Sequence, residues 1–119
     1  MTVARLPKSD LETIKKHVER HRVTLALIRT DKAPTELDSL LNATARACNL
    51  TVVRKQSSPV SDFGFAELNS KDKMLVILWI GGPRTELMSV SETDDEFVHH
   101  LEDEVVHSNF YDSVLRHGT

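Results

Sequence analysis

The longest unbroken apolar stretch is residues 74–82, Met-Leu-Val-Ile-Leu-Trp-Ile-Gly-Gly, preceded by Lys73 and closed by Pro83. A run that is apolar at both alternating positions and rich in β-branched residues suits a strand covered on both faces. The pattern therefore predicts the centre of a sheet, with Trp79 in the core. Val23–Thr30 is apolar or neutral on both faces until Arg29 and predicts a second interior strand beside the first. Residues 50–55 predict a third, shorter strand, and 63–68 and 85–90 each fit a strand, although the pattern leaves open whether both are. The segment 85–90 fits an edge strand paired antiparallel to its predecessor.

Three amphipathic helices complete the pattern. Leu11, Ile14 and Val18 form a narrow stripe after Ser9-Asp10-Leu11-Glu12, which reads as a capping box. Leu37, Leu40, Leu41, Thr44, Ala47 and Cys48 follow helical spacing, with Pro34 suited to the first turn and Asn49 to a left-handed end. Thr93-Asp94-Asp95-Glu96 reads as a second capping box, and Phe97, Leu101, Val105 and Ser108, with Val98, predict the inner face of the last helix. Strand, helix and strand over residues 23–55 imply a parallel β-α-β unit. Residues 1–8 read as a short flexible arm, 110–119 as a terminal turn, and the whole as one α/β domain.

Charge and composition remove several classes of function. The chain has 119 residues, 39% hydrophobic and 28% charged, with a net charge of −3. No Lys/Arg cluster exceeds a pair, which argues against a nucleic-acid binder, whose footprint is a basic face. The N-terminus lacks the apolar core of a signal peptide and no run is long enough to cross a bilayer, so a cytoplasmic protein is expected. One cysteine, Cys48, excludes an internal disulfide and a Cys-x-x-Cys centre. It lies on the apolar helix face, where a buried, unreactive thiol is the expected state.

Five polar residues invite a metal reading: His99, His100, Asp103, Glu104 and His107 fall within nine residues of one helix. His100, Glu104 and His107 share a side and could present two imidazoles and a carboxylate. No His-Glu-x-x-His motif accompanies them, and a solvated, charged helix face with a pH-dependent character is the preferred reading. Ser57, Ser58 and Ser61 sit in a loop without a nucleophile elbow or phosphate cradle, and no cofactor is implied.

The order of elements resembles the thioredoxin-like fold, and residues 11–55 resemble the start of the N-terminal domain of the alkyl hydroperoxide reductase flavoprotein subunit. There too a Leu-rich helix, a Val/Leu/Ile strand ending in Thr and a Glu-Leu-Leu helix follow one another. The resemblance implies a single-domain, thioredoxin-like α-β-α-β-β-β-α sandwich with a mixed central sheet. It also places Thr30-Asp31-Lys32-Ala33-Pro34 where such enzymes carry Cys-x-x-Cys, with Thr30 and Ala33 where the cysteines would stand. Neither residue forms a thiolate, so a redox-inactive member is implied.

These features together lead to an expected non-catalytic protein-protein interaction module, a small regulator that binds a cytosolic partner, with a homodimer as one form. Phe63, Phe65, Phe110, Tyr111 and Leu115 are the candidate partner-binding residues, because aromatic side chains often dominate binding energy. The alternatives are an adaptor or subunit of a redox enzyme, or a small enzyme with a site near Asp31 and the C-terminal histidines.

Overall fold

In the computed structural model, which describes residues 5–32, 34–57 and 63–106, the apolar run is the middle strand of a five-stranded mixed sheet. The elements are α1 (Lys8–Arg20), β1 (Val23–Thr30), α2 (Pro34–Ala47), β2 (Thr51–Ser57), β3 (Phe63–Asn69), β4 (Met74–Gly81), β5 (Glu86–Glu92) and α3 (Asp95–Val106). The strand order is β2-β3-β4-β1-β5. Residues 75 to 79 of β4 are all buried, as a strand covered on both faces requires. β1 runs parallel beside it, from Val23 opposite Met74 to Thr30 opposite Gly81.

The observed order has one strand more than the expected α-β-α-β-β-β-α, because both flanking segments are strands. β5 is an antiparallel edge strand, but its partner is β1 rather than its predecessor β4. Both hydrogen-bonding sides of β4 are taken, one by β3 through a short turn in which Ser70 N–H donates to Lys73 O (2.9 Å), the other by β1. The chain must therefore cross the end of β1, where Gly82 N–H donates to Thr30 O (3.1 Å), to reach the free side. β1 and β2 are parallel, but α2 carries the chain past β4 and β3, so the two strands are not neighbours.

Alternating side chains divide the core between the two faces. On one face Ile14 and Val18 of α1 and Leu37, Leu40, Leu41 and Ala45 of α2 cover Ala26, Ile28, Leu75, Ile77 and Trp79. On the other, α3 places Val98 with Val23 and Val76, and Leu101 with Phe63, Phe65 and Leu78.

The helix ends show where local chemistry was redirected. Pro34 opens α2, and Asn49 (φ 58°) ends it in the left-handed region. Leu50 N–H donates to Ala45 O (2.8 Å) and Asn49 N–H to Arg46 O (3.3 Å), closing a Schellman motif. At α1 the expected capping box is absent: the helix starts at Lys8 after Pro7, with no side-chain cap. Asp10 is engaged elsewhere, its Oδ2 accepting the backbone N–H of Leu87 on β5 at 3.1 Å. Nor is the whole stretch before α1 a free arm, since Leu6 is fully buried in the core; residues 1–4 and 110–119 lie outside the described residues.

Both edge strands are bulged. The pairing of β2 with β3 skips Val53, and that of β5 with β1 skips Met88. These two residues are 52% and 41% exposed. A bulge bends an edge and spoils it as a template for another strand. Among the described residues no helix is long and apolar enough to cross a membrane.

Candidate functional site

α3 is fixed at its start by two contacts. Asp94 Oδ1 accepts the N–H of Phe97 (2.8 Å), so the cap is Asp94, one residue later than the expected Thr93. Arg22, just before β1, holds Asp95 with two hydrogen bonds of 2.9 and 3.4 Å. Helical spacing then turns residues 98, 101 and 102 toward the sheet. Two of these are apolar and the third is Glu102, an acid buried to 7% exposure. Phe97, expected on the inner face, is 45% exposed instead; the side chains of Val105 and Ser108 lie outside the described set.

Three polar side chains from β2 and β3 meet beneath Glu102. Arg54 of β2 donates from Nη1 to Glu102 Oε2 at 2.6 Å, and its guanidinium lies 5.3 Å above the ring of Phe65. Glu67 of β3 faces Arg54 in the strand register and lies close enough to the Glu102 carboxyl for its charge to act on it. Glu67 Oε2 also accepts from Asn69 Nδ2 at 2.7 Å. A pocket of about 70 Å³ opens beside the cluster, lined by Arg54, His99, Glu102 and Asp103.

Among the described residues two carboxyls share one close cation here, and burial makes a second negative charge expensive. Burial pushes the Glu102 carboxyl up to about 7; the neighbouring Glu67 charge acts in the same direction, and Arg54 opposes them. Oε1 of Glu102 is buried without a hydrogen-bond partner. As a carboxylate, that oxygen would need a further donor; as a carboxylic acid, Glu102 is neutral and donates toward Glu67. The arrangement sets a buried carboxyl beside a second one and against a guanidinium, and burial favours the protonated form of Glu102.

Comparison with protein-family models, curated proteins and solved structures gives no match in any of the three. The geometry of the chain therefore carries the functional argument alone.

The residues singled out from the sequence are dispersed. Phe63 and Phe65 are 2% and 0% exposed and belong to the core under α3, which leaves them no open ring face for a partner in this conformation. Phe110, Tyr111, Leu115 and His107 lie outside the described residues. His99 lines the pocket, whereas His100 lies outward with Nε2 4.0 Å from Glu104 Oε1. Among the described residues no three His, Cys, Asp or Glu side chains are placed to hold a metal ion.

Asp31 accepts from Thr85 Oγ1 (3.2 Å) beside the Thr30–Thr85 hydroxyl pair (2.7 Å), at the far end of β1. The strand registers place Arg54 level with Glu67, Val76 and Leu25, so Asp31 and the pocket are about 20 Å apart along the strands. A joint site of Asp31 with His99 is therefore not formed.

Cys48 is buried, and burial pushes its thiol up, away from the reactive thiolate. Cys48→Ser is expected to lower stability by about 1 kcal/mol in urea unfolding while leaving the function of the folded chain intact. Loss of function by a folded variant would assign the thiol a role.

Sequence reasoning missed Arg54, Glu67 and Glu102. The available signal was an acid four residues after Val98, interrupting the inner stripe of a helix otherwise facing apolar strands.

Proposed function

We propose that the chain is a non-catalytic protein-interaction module, a small regulator that binds and modulates a partner protein. The supporting observation is a sheet face that the described residues roof only in part. A helix about 10 Å across spans roughly two strands at their 4.8 Å spacing. α3 is the one described helix on a face five strands wide. Leu25, Leu27 and Ile80 are left half-buried there, and Phe97 on α3 is 45% exposed. An apolar surface of this kind, bordered by polar residues, suits a protein partner. The bulged edges direct binding to that face rather than to strand addition.

A second reading, general acid–base catalysis by Glu102 beside His99, is favoured by a carboxyl that titrates near neutrality. The adjoining pocket of about 70 Å³ is well below the roughly 300 Å³ at which substrate pockets begin, so this reading is the weaker one. The narrower version of the binding proposal, a thioredoxin-like adaptor to a redox enzyme, draws only on the resemblance of residues 11–55 and the order of elements. It is weakened by the two strands that separate β1 from β2.

The test is site-specific photo-crosslinking in host extract, with a benzophenone side chain at Phe97 and, as control, at Lys16 on the opposite layer. A discrete protein adduct at 97 and none at 16 is expected, and light scattering of the pure protein shows whether the adduct is a second copy. Equal crosslinking at both positions, or none at 97, overturns the proposal.

A further inference from the structure

The contact between α3 and the sheet has a design that its apolar residues do not require. Val98 and Leu101 suffice to bury the helix, yet the position between them and β2 holds an acid with one oxygen unpartnered. The charged and titratable groups facing it among the described residues are few. β2 contributes Arg54, β3 contributes Glu67 with the Asn69 amide, and α3 itself contributes His99 and Asp103. β1 and β4 present Val23, Val76 and Leu78, and the Arg22–Asp95 pair lies at the base of the helix.

We propose that α3 is a proton-gated cover: with one proton held between Glu102 and Glu67 it lies closed on the sheet, and loss of that proton releases it. This goes beyond the partner-binding reading and stands without it. In the closed form both carboxyl groups, one neutral and one ionised, are served by Arg54, Asn69 and each other. Removal of the proton leaves two adjacent carboxylates with one guanidinium, and the less costly response is for the helix to carry Glu102 into water. Opening would expose Leu101, Val98 and the ring of Phe65, the apolar surface beneath.

The direction with pH follows from linkage. Closed, Glu102 keeps its proton up to about 7; released, it gives the proton up in the ordinary glutamate range. The closed state binds the proton more tightly, so raising the pH from the ordinary range to about 7 favours opening. Above that, both states are ionised and the effect levels off.

The experiment is hydrogen exchange of the α3 amides at Val98, Leu101 and Glu102, expressed as protection relative to Val76 and Ile77 of β4. Between pH 5.5 and 8, relative protection is expected to fall tenfold or more in the natural chain and to stay constant in Glu102→Gln, which keeps the shape and neutrality of the protonated acid. His99→Asn separates the imidazole from the carboxyl and is expected to retain the fall. Parallel profiles for the natural chain and Glu102→Gln, or a profile flattened by His99→Asn instead, overturn the proposal. Carbon-13 titration of the Glu102 carboxyl in the natural chain needs no variant: a midpoint near 7 supports the gate, and one in the ordinary glutamate range overturns it.

Discussion

Phe65→Ala is expected to lower the unfolding free energy by about 3–5 kcal/mol, with a fall in melting temperature of roughly 10–20 °C. Phe65 is fully buried, opposite Leu78 in the β3–β4 register, and packs with Phe63 and Leu101 in the cluster beneath α3. Truncation to the β-carbon removes the whole ring from a close-packed layer, so the loss combines transfer and cavity terms. It also removes the surface on which the Arg54 guanidinium rests, loosening the cation that faces Glu102. Phe65→Leu, which keeps most of the volume, should cost about 1.5 kcal/mol or less. Urea unfolding of the two variants, beside the exposed Val53→Ala, measures the series. A Phe65→Ala cost no larger than that of Val53→Ala would mean that α3 and β3 are not packed as described.

Gly64→Ala is expected to cost about 2–3 kcal/mol for the opposite reason. A β-carbon at this position would meet the carbonyl oxygen of Gln56 on β2 and lie 2.6 Å from Trp79 Cζ2. The oxygen belongs to backbone and the indole is buried in the core, so neither contact is relieved by rotating a flexible side chain. Relief requires β2 to move away from β3. Trp79 is the only tryptophan in the sequence, and its emission reports the strain directly. A red-shifted native spectrum together with a lower unfolding midpoint is the expected result, and an unchanged spectrum with unchanged stability would contradict the close approach.

Legibility in the sequence followed the physics of each element. β4 and β1 were readable because interior strands leave continuous apolar runs, and α2 was readable because Pro34 and Asn49 mark its ends. The cap of α1 lies two residues earlier than expected, at Pro7 instead of Ser9, and that of α3 one residue later. Asp10 serves β5 instead of its own helix, and Asp94 takes the cap that Thr93 was expected to form. Strand order was not readable, because hydrogen-bonding sides are allotted by tertiary competition: β5 goes to β1 only because β4 is already flanked on both sides. The acid pair was still less accessible. Its two members, Glu67 and Glu102, and the Arg54 and Asn69 beside them each resemble an ordinary surface residue until β2, β3 and α3 are brought together.

The position of β1 between β4 and β5 has a consequence for how the chain comes to be folded at all. Every strand partner of β1 lies about fifty residues or more downstream, Val23 with Met74 and Thr24 with Glu92, whereas β2, β3 and β4 pair with their sequence neighbours. The three-stranded meander can close locally, and the first half of the chain must wait for it. At ribosomal rates of 5–20 residues per second, β1 remains without a partner for about 2.5–10 s after it is made. During that interval its apolar face is available to chaperones and to other nascent chains, and only its pairing with the two later strands completes the sheet.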